Sequence, residues 1–197
     1  MATKTAVTLT PQDYVHLHNH TQYSLLDGLT KVPALLEYVK ESGMSAVAMT
    51  DHGTLSGAIE FYKEAKSRDI KPIIGMEAYV AARTIADKDP AKDKNYYHLI
   101  ILAMNNVGYQ NLMRLSTIAN LEGVYYKPRI DHALLEKYNG GLIILSACIG
   151  GEIGDNLRQG QYDKAKEIAS WYKKVFGDRY YLEVQDHGHP QHPSKWD

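Results

Sequence analysis

The chain has 197 residues, 44% of them hydrophobic and 23% charged, which suits one domain of ordinary size with a substantial core. Its 22 basic and 23 acidic residues leave a formal charge of −1, so it lacks the basic excess of a module that grips duplex nucleic acid by itself. A single cysteine, Cys148, excludes an internal disulfide framework, and no apolar run approaches the ~20 residues of a membrane span.

Apolar strand-like runs alternate with segments of helical period along the chain. A first strand is expected at 14–19, a helix at 32–42 closed by Gly43, a strand at 46–50, a helix at 56–68 and a strand at 73–80. Residues 82–95 are charged and patternless and read as an exposed loop. Then follow a strand at 98–104, a helix at 107–121, a strand at 142–146, a helix at 162–176 closed by Gly177, and a strand at 180–184. The run Leu142-Ile143-Ile144-Leu145 suits a strand buried on both faces. This alternation implies a parallel sheet with helices on its outer face, a β/α barrel rather than an open doubly wound sheet, because no glycine-rich phosphate loop follows the first strand. The last four residues, Ser194 to Asp197, have the pattern of a capping box opening a helix, and six strands are too few to close such a barrel. The chain is therefore expected to be a piece of something longer. The opening ten residues lack the apolar core of a secretory signal, so a cytoplasmic location is expected.

The chemistry is concentrated in histidines. His16, His18 and His20 occupy alternate positions, which a strand throws to one face, and imidazole is the commonest metal ligand among side chains. Asp27 follows in the next loop, and a second strand ends in Thr50-Asp51-His52-Gly53. Glu77 ends the third strand in Gly75-Met76-Glu77, where glycine lets the backbone pass close to a buried site. His98 opens the fourth strand and Cys148 lies just past the fifth. The core set is His18, His20, Asp27, His52, Glu77, His98 and Cys148. Mixed imidazole and carboxylate donors suit Zn²⁺, Mn²⁺ or Fe²⁺ rather than Ca²⁺ or Mg²⁺. So many donors exceed the needs of one tetrahedral ion, and two or more ions clamp both oxygens of a phosphoryl displacement. Asp51 reads either as a partner orienting His52 or as a turn residue. His132 reads as a solvated first-turn residue, and His187, His189 and His192 with Asp186 read as loop.

The stretches Val15-His16-Leu17-His18-Asn19-His20-Thr21 and Tyr23-Ser24-Leu25-Leu26-Asp27-Gly28 resemble the opening motif of the polymerase-and-histidinol-phosphatase domain. More closely, they resemble the form of that domain at the N-terminus of bacterial C-family replicative polymerases, the DNA polymerase III alpha subunits. Thr50-Asp51-His52-Gly53, Gly75-Met76-Glu77, Tyr96-Tyr97-His98-Leu99, Tyr125 to Asp131 and Gln185-Asp186-His187-Gly188 extend it over 14–188. The resemblance implies a distorted seven-stranded TIM-like β/α barrel whose mouth holds up to three ions of zinc or manganese, with iron an alternative. It carries His18, His20, Asp27, His52, Glu77, His98 and Cys148 over as ligands, with Asp27 and His52 as catalytic positions; His16 stands where many phosphatase members have aspartate. The family's last two ligands, an aspartate and a histidine one residue apart, would lie beyond Asp197. On this reading residues 1–13 are a tail and 14–197 a domain truncated before its last strand, inactive as it stands. The implied activity is metal-dependent 3′–5′ proofreading exonuclease chemistry within a DNA-directed DNA polymerase. The implied partners are the rest of the alpha subunit, a DNA primer terminus, a proofreading exonuclease subunit and a sliding clamp. Two alternatives stand beside it: a docking module for a separate proofreading subunit, and a phosphatase of small monoesters such as histidinol phosphate.

Overall fold

The computed structural model describes residues 10–25 and 27–185. The second histidine cluster and the capping-box tetrapeptide lie outside these residues.

Among the described residues seven strands form one sheet: β1 (Ala46–Met49), β2 (Lys71–Ala81), β3 (Tyr96–Ala103), β4 (Val124–Tyr125), β5 (Lys127–Ile130), β6 (Leu142–Leu145) and β7 (Tyr180–Tyr181). Six α-helices among the described residues accompany it: α1 (Val32–Glu41), α2 (Ala58–Ser67), α3 (Asn106–Leu121), α4 (His132–Lys137), α5 (Glu152–Arg158) and α6 (Tyr162–Phe176). The order is β4-β5-β2-β3-β6-β7, with β1 also paired to β2. None of the described helices is long and apolar enough to cross a membrane.

The apolar spacing explains the helices. Val32, Leu35, Leu36 and Val39 make one buried stripe on α1, whose first turn holds Pro33 and which gives way to Gly43 at φ +74°. The α3 stripe of Leu112, Leu115 and Ala119 follows an Asn105 cap that accepts the Gly108 N–H at 3.0 Å. Asp131 caps α4 in the same way, accepting from the Leu134 N–H at 3.0 Å.

Strand periodicity then divides the core. On β2, Ile74, Met76, Ala78 and Val80 pack toward the helices, against α1 and α2 at one end and α3, α4 and α6 at the other. The opposite face is also apolar: Ala48, Ile100, Leu102, Leu145 and Ala147 gather with Leu17, Ile73 and Ile143. Helices outside and a second core inside a curved sheet make a distorted TIM-like α/β fold. Each fully buried side chain of this size contributes about 1.5–3 kcal/mol by leaving water.

The sheet is mixed, not parallel. β1–β2, β2–β5 and β6–β7 run parallel, whereas β3 is antiparallel to both β2 and β6. The cause is the loop 82–95: it supplies no crossover helix, so the chain returns along β2 in the opposite direction. That loop is less exposed than its charge suggested. Asp93 is buried and accepts two hydrogen bonds from Arg83, and the fully buried Arg129 donates to the carbonyls of Ile85, Asp87, Asp93 and Gly123.

The expected first strand also differs. Residues 14–19 make one isolated parallel bridge, His16 to Val47, rather than a ladder. Two backbone bonds hold it, from the Ala48 N–H to His16 and from the Thr50 N–H to Asn19, and side chains supplement them: Thr50 Oγ1 accepts from the Asn19 N–H at 2.8 Å, and the Asn19 amide donates to the carbonyls of His16 and Ala48.

Candidate metal centre

The loop after the His16 segment is fixed by Asp51. This fully buried carboxylate accepts the Thr21 N–H at 2.5 Å and the Thr21 hydroxyl at 2.7 Å. It therefore anchors the turn that leads to Asp27, and makes no bond to the imidazole of His52. His52 is placed instead by its backbone, whose N–H donates to Ser24 Oγ at 3.1 Å, and by a parallel bridge to Glu77.

Glu77 lies within β2, not at its end, on the inward face opposite the residues that meet the helices. Gly75 allows the approach, since a Cβ there would stand 2.7 Å from the Ile101 carbonyl oxygen of β3. His98 reaches the same face because β3 is antiparallel. Its N-terminal end lies beside the C-terminal halves of the parallel strands, with His98 in register with Tyr79.

Four imidazoles surround this one carboxylate. Glu77 Oε2 stands 3.0 Å from His18 Nε2, 2.5 Å from His20 Nε2 and 3.4 Å from His52 Nδ1, and Oε1 is 2.8 Å from His98 Nδ1. Asp27 Oδ2 bridges the far sides of two of them, 2.7 Å from His20 Nδ1 and 3.1 Å from His52 Nε2. Three overlapping triplets, His18–His20–Glu77, His20–Asp27–His52 and His52–Glu77–His98, each bring one donor atom per residue within 4.8 Å of one another. Cys148 stands at the margin, its Sγ 3.9 Å from His98 Nδ1 and accepting the Gly150 N–H. His16 is outside the cluster and packs edge-on against Tyr14.

Burial opposes charge on every member, and the contacts outweigh it for most. Glu77 is 1% exposed, yet hydrogen bonds from His18, His20 and His98 hold its carboxyl well below the usual range. Burial pulls His18 down, but Glu183 and Glu77 raise it to about 10; His98, raised by Cys148 and Glu77 against its own burial, reaches about 9. His20 is also raised, whereas burial wins at His52 and lowers it. The His98 contact lowers the Cys148 thiol. The cluster thus concentrates negative charge that protons neutralise. His52 Nδ1 is buried without a hydrogen bond, since its 3.4 Å approach to Glu77 lacks the alignment for one. An orphaned imidazole nitrogen aimed at a shared carboxylate, beside further imidazoles and a thiol, is a donor set that fits Zn²⁺, Mn²⁺ or Fe²⁺.

A family profile described as the PHP domain matches residues 16–187, the stretch that builds this cluster. The chain belongs to the PHP domain family. The curated relatives of this PHP domain include DNA polymerase III subunit alpha of Borreliella burgdorferi, 52% identical over 176 residues, and that of Deinococcus radiodurans, 49% identical over 189. The alignments take in 89% and 92% of this chain but 15% and 14% of those proteins, so the chain spans about a seventh of their length. Among solved structures, an amidohydrolase from Chromobacterium violaceum is 13% identical with a TM-score of 0.47, over 87% of this chain and 86% of its own.

Two features of the PHP domain escaped sequence reasoning. Glu183 places Oε1 2.7 Å from His18 Nδ1, and its only sequence signal is a charge at an inward strand position two residues after Tyr181. His132, expected in solvent, stacks on Trp171 with ring centroids 4.0 Å apart and lies 2.9 Å from Glu152 Oε2. It is a structural pair on another part of the fold, because α4, α5 and α6 pack there.

Proposed function

We propose that the cluster is the metal centre of a phosphoesterase, and that the chain, with residues 14–197 as its PHP unit, is the N-terminal domain of a cytoplasmic replicative DNA polymerase alpha subunit. The substrate would be a phosphodiester at a DNA primer terminus, cleaved in the 3′–5′ direction. The partners would be the rest of that subunit, with a proofreading exonuclease subunit and sliding clamp beyond it. The observation that carries this reading is Glu77, a buried carboxylate shared by four imidazoles and flanked by Asp27. The polymerase relatives at about half identity support the choice of substrate.

His18, His20, Asp27, His52, Glu77, His98 and Cys148 would hold the ions. Zn²⁺ or Mn²⁺ held there would supply Lewis-acid polarisation of a phosphoryl oxygen and would lower the pKa of a water beside it. The chain's own groups do the rest. Glu77 keeps the imidazoles in register, and the apolar inner face behind them excludes bulk water. Asp27, 40% exposed, is the carboxylate open enough to accept a proton from an attacking water, and His52, in contact with it, can stabilise the charge that results.

The test measures release of 3′-terminal nucleotides from a mismatched primer by the polymerase subunit carrying this domain, with Mn²⁺ or Zn²⁺. Asp27→Asn should abolish release while leaving polymerisation intact. Nuclease activity that persists in Asp27→Asn, or purified protein that takes up no transition metal, would sink the reading.

A further inference from the structure

The two ends of the sheet meet at His18. Among the described residues no backbone ladder joins the His16 segment to β7, and side chains span the gap instead. Glu183 lies two residues past β7, and its N–H donates to Ser146 Oγ at 2.9 Å while the Ser146 N–H donates to the Tyr181 carbonyl at 3.1 Å. The end of β6 therefore fixes where Glu183 stands. From there its side chain, 12% exposed, places Oε1 2.7 Å from His18 Nδ1.

Imidazole has two nitrogens, and the proton on one decides what the other offers. His18 Nε2 faces Glu77 Oε2 at 3.0 Å, in the triplet with His20. For Nε2 to present a lone pair, the proton must stay on Nδ1, and that requires an acceptor there. Glu183, when ionised, accepts and never donates. The Gln185 amide nitrogen also lies 3.0 Å from Nδ1, but an Nδ1 that donates to Glu183 has no lone pair left for it; its hydrogen goes to Glu183 Oε1 at 2.6 Å. Glu183 has no Lys or Arg partner among the described residues, and its Oε2 is buried without any hydrogen bond. Its side chain makes two contacts, His18 Nδ1 and the Gln185 amide, and only the first reaches the cluster.

We propose that Glu183 is a positioning residue that holds His18 in the Nδ1–H tautomer, so that Nε2 faces a cation at the His18–His20–Glu77 corner. The proposal rests on the metal reading above. Glu183 itself touches neither substrate nor the reacting atoms.

Zn²⁺ affinity of the full chain, measured by competition with a chromophoric chelator, is the first readout. The second is the His18 ring N–H resonance of the Zn²⁺-loaded chain in ¹H–¹⁵N spectra. Glu183→Ala should weaken Zn²⁺ by about 10- to 100-fold, the usual loss when the partner of a metal-binding histidine is removed, and abolish the slowly exchanging Nδ1–H signal. Glu183→Gln keeps an accepting oxygen without the charge; it should retain that signal, shifted upfield, with a loss nearer the lower figure. Should Glu183→Ala fail to fold, the isosteric Gln variant carries the test. Unchanged affinity together with an unchanged His18 signal, in either folded variant, overturns the proposal while leaving the metal reading in place. A wild-type chain that takes up no Zn²⁺ overturns both.

Discussion

Replacing Glu77 by glutamine tests whether one carboxylate organises the site. Its two oxygens meet four imidazoles between 2.5 and 3.4 Å, and at 1% exposure no water can substitute. Removing one partner of a buried ionic cluster costs about 3–5 kcal/mol. In a chain of this size each kcal/mol moves Tm by about 2–4 °C, so Glu77→Gln in EDTA should melt about 6–20 °C lower. The loss must depend on pH with a definite sign. Glu77 is held below its ordinary value, so its contribution is present above the unfolded carboxylate value of 4.5 and is lost as pH falls toward the folded one. His18 and His98 are raised to about 10 and about 9, so their contribution is full below the unfolded value of 6.5 and fades as pH rises through those figures. The deficit of Glu77→Gln should therefore be greatest between about pH 5 and 6.5 and clearly smaller by about pH 9. Thermal melts of wild type and variant across this range, with circular dichroism confirming the fold, decide the matter. A deficit below about 1 kcal/mol at pH 6, or one that is equal at pH 6 and 9, would refute the idea that ionic contact with Glu77 holds the imidazoles together.

Metal uptake should follow the same protons in reverse. Raised imidazoles at His18, His20 and His98 must lose protons to bind a cation, so Zn²⁺ affinity should climb from about pH 6 to 9, and proton release should accompany each titration in weakly buffered solution. Gly75→Ala should destabilise by about 1–3 kcal/mol, because the new Cβ would stand 2.6 Å from Leu102 Cδ2 and 2.7 Å from the Ile101 carbonyl oxygen; a Tm equal to wild type would show that β2 and β3 separate freely.

Much of the scaffold was legible because its periodicities are strong. The stripe of Val32, Leu35, Leu36 and Val39 and the run Leu142 to Leu145 could be little else than a helix and a buried strand. What could not be read has local causes. β5 contains Pro128 between Lys127 and Arg129, and Tyr126 before it takes φ +60°, so tertiary pairing with β2 makes it a strand against its composition. α5 is one short segment interrupted by Gly154, below the length at which apolar period is informative. The expected first strand falls short of a ladder although its alternation is real, because only part of its backbone pairs with β1 and the Asn19 N–H goes to the Thr50 side chain instead.

The candidate site shows how an error in topology can leave the clustering of side chains intact. With every strand parallel, His98 at the start of its strand would lie at the wrong end of the barrel, far from Glu77. The ligand assignment and the parallel sheet were therefore incompatible, and the patternless stretch 82–95 already held the resolution. A connection without a helix returns a strand antiparallel, which carries position 98 to the mouth. The register then sets His98 against Tyr79, two residues from Glu77 on the same inward face, which brings the two long side chains within reach of their 2.8 Å contact. Glu183 was invisible for the converse reason. It belongs to no histidine motif, and only the meeting of the sheet's two ends brings it to His18, so its role depends on closure of the fold rather than on any local pattern.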